Sequence, residues 1–188
     1  MAKLIYSAIM SVDGYIADES GRFDWAMPDL EVHTFANELE RRIGTHLFGR
    51  RMYEVMSFWE DEAALASEPD YIREFGSLWR AADKIVYSQS LASIKTGRTR
   101  LEPQFKAEHI QQLKTTARQD LSIAGPTLAA HAFKAGLVDE CHLIVAPVSV
   151  GGGTAALPKQ PRLRLHLMDQ RSFAMGMVHL HYQVVPWE

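Results

Sequence analysis

The feature that most restricts this chain is an alternation of short apolar runs with segments of helical spacing, which gives way near the end to a period of two. The β-rich run at residues 4–10 meets the interruption Ser11-Val12-Asp13-Gly14 and continues as Tyr15-Ile16-Ala17. Residues 18–28 are polar, contain Gly21 and Pro28, and predict a loop. Residues 29–43 set Val32, Phe35, Ala36, Leu39 and Ile43 at helical spacing, with Gly44 as the expected stop. On that helix Val32 and Leu39 centre the buried face, Asp29 and Glu31 lie on its two edges, and His33 points outward.

The same pattern predicts a strand at 46–48, helices over 50–59 and 69–82, strands at 84–88 and 99–101, and a helix over 102–117. A strand at 121–124, a helix over 127–135 closed by Gly136, and a strand at 140–146 follow. Residues 163–172 and 178–185 alternate in period two around Ala174-Met175-Gly176, the signature of an antiparallel hairpin. Strands that alternate with helices pair in parallel through crossovers. The expected fold class is therefore α/β, in three layers: a mostly parallel central sheet, helices on both faces, and an antiparallel C-terminal hairpin at one edge. No repeat, linker or low-complexity tract divides residues 1–188, which read as a single domain.

Two strand-to-helix corners carry the chemistry. Leu47-Phe48-Gly49-Arg50-Arg51-Met52-Tyr53 ends an apolar run in Gly-Arg-Arg and passes directly into a helix. A helix start exposes unpaired N–H groups and the positive end of the helix dipole, and guanidinium forks match phosphate oxygens. Ile123-Ala124-Gly125-Pro126-Thr127-Leu128 repeats the design. Two such anion sites at carboxyl ends of strands suit a dinucleotide, although a turn and a solvated arginine pair are the plain alternative.

Composition narrows the partners. With 20 Lys and Arg against 23 Asp and Glu, the net charge is −3, and no basic field favours nucleic acid or an anionic membrane. No segment approaches the roughly 20 apolar residues of a membrane span, and the N-terminus lacks the apolar region of a signal peptide, so a cytoplasmic protein is expected. The single cysteine, Cys141, excludes an internal disulfide and reads as a buried thiol. The eight histidines show no ligand spacing: His179 and His181 alternate on one strand face and His166 stands alone, so no metal site is expected. Neither a nucleophile elbow nor a P-loop occurs.

Five motifs, in this order, resemble the dihydrofolate-reductase-like fold, and most closely the reductase domain of the riboflavin-biosynthesis deaminase–reductase and its stand-alone relatives. They are Ser11-Val12-Asp13-Gly14-Tyr15-Ile16-Ala17, Phe48-Gly49-Arg50-Arg51-Met52-Tyr53-Glu54, Lys84-Ile85-Val86-Tyr87-Ser88, Ala124-Gly125-Pro126-Thr127-Leu128-Ala129, and Gly136-Leu137-Val138-Asp139-Glu140 leading to Pro147-Val148 and Gly151-Gly152-Gly153. The resemblance implies an NADPH-dependent reductase, a homodimer, acting on a small heterocyclic or carbonyl substrate. Its reference reaction reduces the ribosylamino sugar of 5-amino-6-(5-phosphoribosylamino)uracil.

By the same resemblance Ala8, Ile9, Ile16 and Ala17 hold the nicotinamide. Gly49, Arg50 and Arg51 take phosphates, one arginine reaching the adenosine 2′-phosphate. Ser88, Gln89 and Ser90 hold the adenosine portion, and Gly125, Pro126, Thr127 and Leu128 form the second pyrophosphate turn. Relatives often carry glycine where Pro126 stands; proline removes a donor but suits a first helical position. Gly151, Gly152 and Gly153 fall near the active site. Trp25, Phe58 and Trp59 are candidates to line a pocket for a planar ring, with core packing as the alternative. Dihydrofolate reductases place a carboxylate on the helix after the first loop. Asp29 and Glu31 stand there without aligning on it, so Asp13, Glu31, Asp29 or water could supply the proton. A pterin or other carbonyl reductase, and a non-catalytic binding protein that kept the fold, are the alternatives.

Overall fold

In the computed structural model, which describes residues 1–186, the alternation resolves into one eight-stranded sheet covered by helices on both faces. In chain order the elements are β1 (Leu4–Ser11), β2 (Tyr15–Ala17), α1 (Leu30–Glu40), β3 (Ile43–Gly49), α2 (Arg50–Met56), α3 (Glu62–Leu65), α4 (Asp70–Ala81), β4 (Asp83–Tyr87) and β5 (Thr99–Glu102). Then come α5 (Ala107–Thr116), β6 (Asp120–Ala124), α6 (Pro126–Lys134), β7 (Glu140–Ala146), β8 (Thr154–Ala155), β9 (Arg164–Ser172) and β10 (Val178–Val185), with single 3₁₀ turns at Asp24–Ala26 and Ser57–Glu60.

The sheet order is β5-β4-β3-β6-β1-β7-β10-β9. From β5 to β7 every pairing is parallel, and β10 then runs antiparallel to both β7 and β9. Strands buried on both faces must be apolar on both, which explains the near-continuous apolar runs of β1, β3, β6 and β7. One face packs Leu4, Tyr6, Leu47, Ile85, Leu121, Ile123 and Cys141 against Ile110 of α5 and Leu128, Ala132 and Phe133 of α6. The other meets α1 through Val32 and Ile144, and meets α2 and α4 through Tyr53, Trp79, Phe48 and Val86. No helix among the described residues is long and apolar enough to cross a membrane.

Two local expectations are corrected. The first helix ends at Glu40, and Gly44 lies inside β3. Its glycine serves space: a Cβ there would stand 2.9 Å from Cβ of Gln119. His33 turns inward, 6% exposed, because α1 packs on α4 as well as on the sheet. Its ring sits edge-on to Trp59, Tyr71 and Phe75, with centroids 6.1, 5.2 and 5.5 Å away.

Tyr6 ties the middle of the sheet to the loop after β8. Its side chain is fully buried and its hydroxyl donates to the carbonyl of Ala156, while burial, with Cys141 as a lesser influence, raises the phenol well above its ordinary pKa. Removing the donor leaves that carbonyl without its partner. Tyr6→Phe should therefore cost about 1–3 kcal/mol, read as a lower urea midpoint at unchanged m-value.

Candidate active site

The carboxyl ends of β4, β3, β6 and β1 stand side by side, and the two glycine corners fall on the neighbouring strands β3 and β6, where Phe48 pairs with Ala124. The corners pack into each other. A Cβ on Gly49 would lie 3.8 Å from Cβ of Leu128 on α6, and one on Gly125 would lie 3.5 Å from Cβ of Met52 on α2. Only the second corner needs glycine for its backbone. Gly125 has φ +88°, whereas Gly49 is extended at φ −79°, ψ 165°. Pro126 occupies the first turn of α6, where a missing N–H breaks no helical bond.

The two arginines at the start of α2 are at most weakly paired. Arg50 reaches Glu54 only at 3.9 Å, and both side chains are about half exposed. Arg51 is exposed and has no hydrogen bond or ion pair among the described residues. At the end of β4, Ser88 Oγ accepts from the N–H groups of Ser90 (3.1 Å) and Leu91 (3.0 Å), which folds the strand end into a tight turn with Gln89 and Ser90 exposed. Thr127 is exposed at the first turn of α6.

At the end of β1 a second construction holds the Asp13 turn. Asp13 accepts from Gly151 N (2.7 Å), Ser149 Oγ (2.9 Å) and Val150 N (3.2 Å). Hydrogen bonding from Ser11, then from Gly151, Val150 and Ser149, holds its carboxyl well below the usual carboxylate range. The turn is sealed by Val12 N to Val148 O (2.8 Å) and Ala156 N to Gly14 O (2.9 Å), and β2 pairs with β8. Ala17 therefore lies against the glycine loop at 151–153, with Ile16 before it in β2, while Ala8 and Ile9 sit half-buried in β1.

Each of the three candidate acids accepts hydrogen bonds that hold local structure. Asp13 is ionised and anchors the 149–151 loop. Asp29 caps α1, accepting from Val32 N at 2.9 Å. Glu31 accepts from Ala174 N (3.0 Å) and Arg171 (3.3 Å), joining α1 to the turn of the C-terminal hairpin. The aromatic candidates do not line one pocket. Trp25 packs beside Val32, Ile144 and Phe173, whereas Trp59 packs against Phe75 at 4.6 Å, tilted by 54°, in the cluster of Tyr53 and Trp79. Phe58 is 52% exposed. The Trp25 indole N–H is buried with no acceptor among the described residues.

Comparison with known proteins identifies the family and the fold. Uncharacterized protein YyaP of Bacillus subtilis (strain 168) is 26% identical over 184 residues, 96% of this chain and 94% of its own. A protein of Shewanella sp. PV-4 provisionally assigned to riboflavin biosynthesis superposes with TM-score 0.76 at 21% identity, over 99% of this chain and 100% of that one. The diaminohydroxyphosphoribosylaminopyrimidine deaminase/5-amino-6-(5-phosphoribosylamino)uracil reductase of Thermotoga maritima superposes with TM-score 0.68 at 12% identity, over 98% of this chain and 57% of the longer one. The family model of the RibD C-terminal domain matches residues 2–179, and the chain belongs to that family.

Proposed function

We propose that the protein is an NADPH-dependent reductase of a small heterocyclic or carbonyl substrate, akin to the reductase step on 5-amino-6-(5-phosphoribosylamino)uracil. The observation that carries this reading is the interlock of the Gly49 and Gly125 corners, with Arg51 exposed at the start of α2 and unpaired among the described residues. Adjacent corners suit one diphosphate bridge, and an uncommitted arginine beside them suits a further phosphate. Residues of this chain fit the rest of such a cofactor: β1 and β2 offer backbone to a carboxamide, and Ser88 to Ser90 close the adenosine end.

When bound, the reduced nicotinamide supplies hydride; the protein supplies position and a dry site. The Asp13 clamp fixes the glycine loop against β2. Trp25 offers a buried donor that only a ligand or water can satisfy. With Asp13, Asp29 and Glu31 committed as acceptors, water delivers the proton. The reading includes a homodimer in the cytoplasm. Among the described residues the outer edge of β9 is unpaired, and it carries exposed Leu167 and Met168, which supports pairing of two copies.

Titration of the tag-free protein with NADPH, followed by nicotinamide fluorescence, should saturate at one per chain. NADPH oxidation should then depend on one of a ribosylaminopyrimidine, a dihydropterin or a simple carbonyl compound. Absence of binding overturns the reading. Binding without oxidation by any of the three would instead identify a non-catalytic binding protein on this fold.

A further inference from the structure

At the opposite edge of the sheet, Glu140, His142 and His181 point their donor atoms at one another. Glu140 opens β7, His142 lies two residues on along the same face, and His181 of β10 pairs directly with His142. His181 Nε2 stands 3.3 Å and His142 Nε2 3.8 Å from Oε2 of Glu140, and all three donors fall within 4.8 Å of one another. Neither Nε2 has a hydrogen-bond partner among the described residues, although the His142 side chain is only 5% exposed and the His181 side chain 19%. Buried polar atoms are normally satisfied, and two orphaned imidazole nitrogens facing one carboxylate need an explanation.

We infer that Glu140, His142 and His181 form a binding site for a divalent transition-metal ion of the zinc class. Two imidazoles and a carboxylate are borderline donors, which favour such ions over magnesium or calcium. For ligand bonds of about 2.0–2.1 Å, a tetrahedral site separates its donors by roughly 3.3 Å, close to the spacing present, but the rings must tilt by tens of degrees for both lone pairs to meet one ion. The tilt is needed because the two rings stack 15° from parallel with centroids 4.2 Å apart. His142 Nδ1 lies 2.9 Å from His179 Nε2; in the tautomer where His142 Nδ1–H donates to His179, the bond fixes the ring and leaves the His142 Nε2 lone pair toward Glu140.

The site is separate from the proposed redox centre. Glu140 pairs with Ile5 at the start of the parallel strands, and six residues of β7 put it roughly 20 Å from Ala146 at the carboxyl edge. An ion there would join β10 to β7, fastening the antiparallel extension to the parallel sheet. Two cations already serve Glu140: Lys3 bonds Oε1, and Arg42 lies 3.4 Å from Oε2 while also pairing with Asp120 at 2.8 Å. Both repel an incoming dication, so removing Lys3 should tighten binding.

The test titrates chelator-treated, tag-free protein with Co²⁺ and follows its visible ligand-field absorption, with Zn²⁺ as displacer. Saturation at one ion per chain is expected. His181→Gln should weaken binding by about 100-fold or more, beyond what loss of a supporting partner costs. His166→Gln, on the exposed face of β9, should change nothing. Lys3→Met leaves both histidines in place and alters a side chain that is 51% exposed; it should bind more tightly. No saturable uptake, His181→Gln binding as the parent does, or Lys3→Met without tighter binding would each overturn the site.

Discussion

Gly153→Ala is expected to cost about 3–5 kcal/mol, the largest loss of stability from any single added methyl group in the loop between β7 and β8. Gly153 has φ +128°, a region that L side chains rarely enter, and a Cβ there would stand 2.1 Å from the carbonyl oxygen of Ala17 and 2.6 Å from the carbonyl carbon of Asp18. Those are backbone atoms and cannot swing aside as a side-chain tip would. Relief requires β2 to part from β8, and with it the Asp13 clamp that holds the glycine loop. Gly151→Ala is the control. Gly151 also has positive φ, +80°, but nothing lies within 4 Å of its added Cβ, so only the conformational term of about 1–2 kcal/mol applies. Urea denaturation of both variants separates the two contributions. If Gly153→Ala costs no more than Gly151→Ala, the close approach of the loop to β2 is wrong. The same variant should lose NADPH binding, because Ile16 and Ala17 move with β2.

Much of this architecture is legible in the sequence, because strands and helices of an α/β fold differ in period and composition. The expected strand at 140–146 coincides with β7, and the hairpin over 163–172 and 178–185 differs from β9 and β10 by one residue. The boundaries that shift are those where a residue answers to tertiary space. Gly44 looks like a helix stop and is a strand residue pressed against Gln119. His33 looks polar and outward, yet α4 covers it.

Side-chain roles are harder to read than elements. Asp29 and Glu31 are acids in a first helical turn, and no sequence pattern tells a cap or a tether to Ala174 from a proton donor. The convergence of Glu140, His142 and His181 is also invisible along the chain. Each strand shows period two, but only the antiparallel pairing of β7 with β10 sets His181 opposite His142.

Replacing both Arg50 and Arg51 by alanine should weaken NADPH by about 1–3 kcal/mol, roughly 5- to 150-fold in Kd, and leave NADH almost unchanged. The two cofactors differ only by the adenosine 2′-phosphate, so the ratio of their affinities isolates the group that reads it. On the proposed reading the two shares should be unequal. Arg50 has Glu54 as a distant partner, at 3.9 Å, whereas Arg51 has no partner among the described residues and is free to meet an incoming anion. Arg51→Ala alone should account for most of the loss. Arg51→Lys should restore only part of it, since an ammonium keeps the charge but lacks the two-pronged fork that fits a phosphate. Both side chains are exposed, so the unfolding midpoint should hold, and weaker binding then reflects the contact itself. Equal weakening of NADPH and NADH would mean that the pair reads the shared diphosphate, which would move the 2′-phosphate site toward Ser88 to Ser90. No weakening of either would remove the arginines from the cofactor site, and with them the observation on which the reductase reading rests.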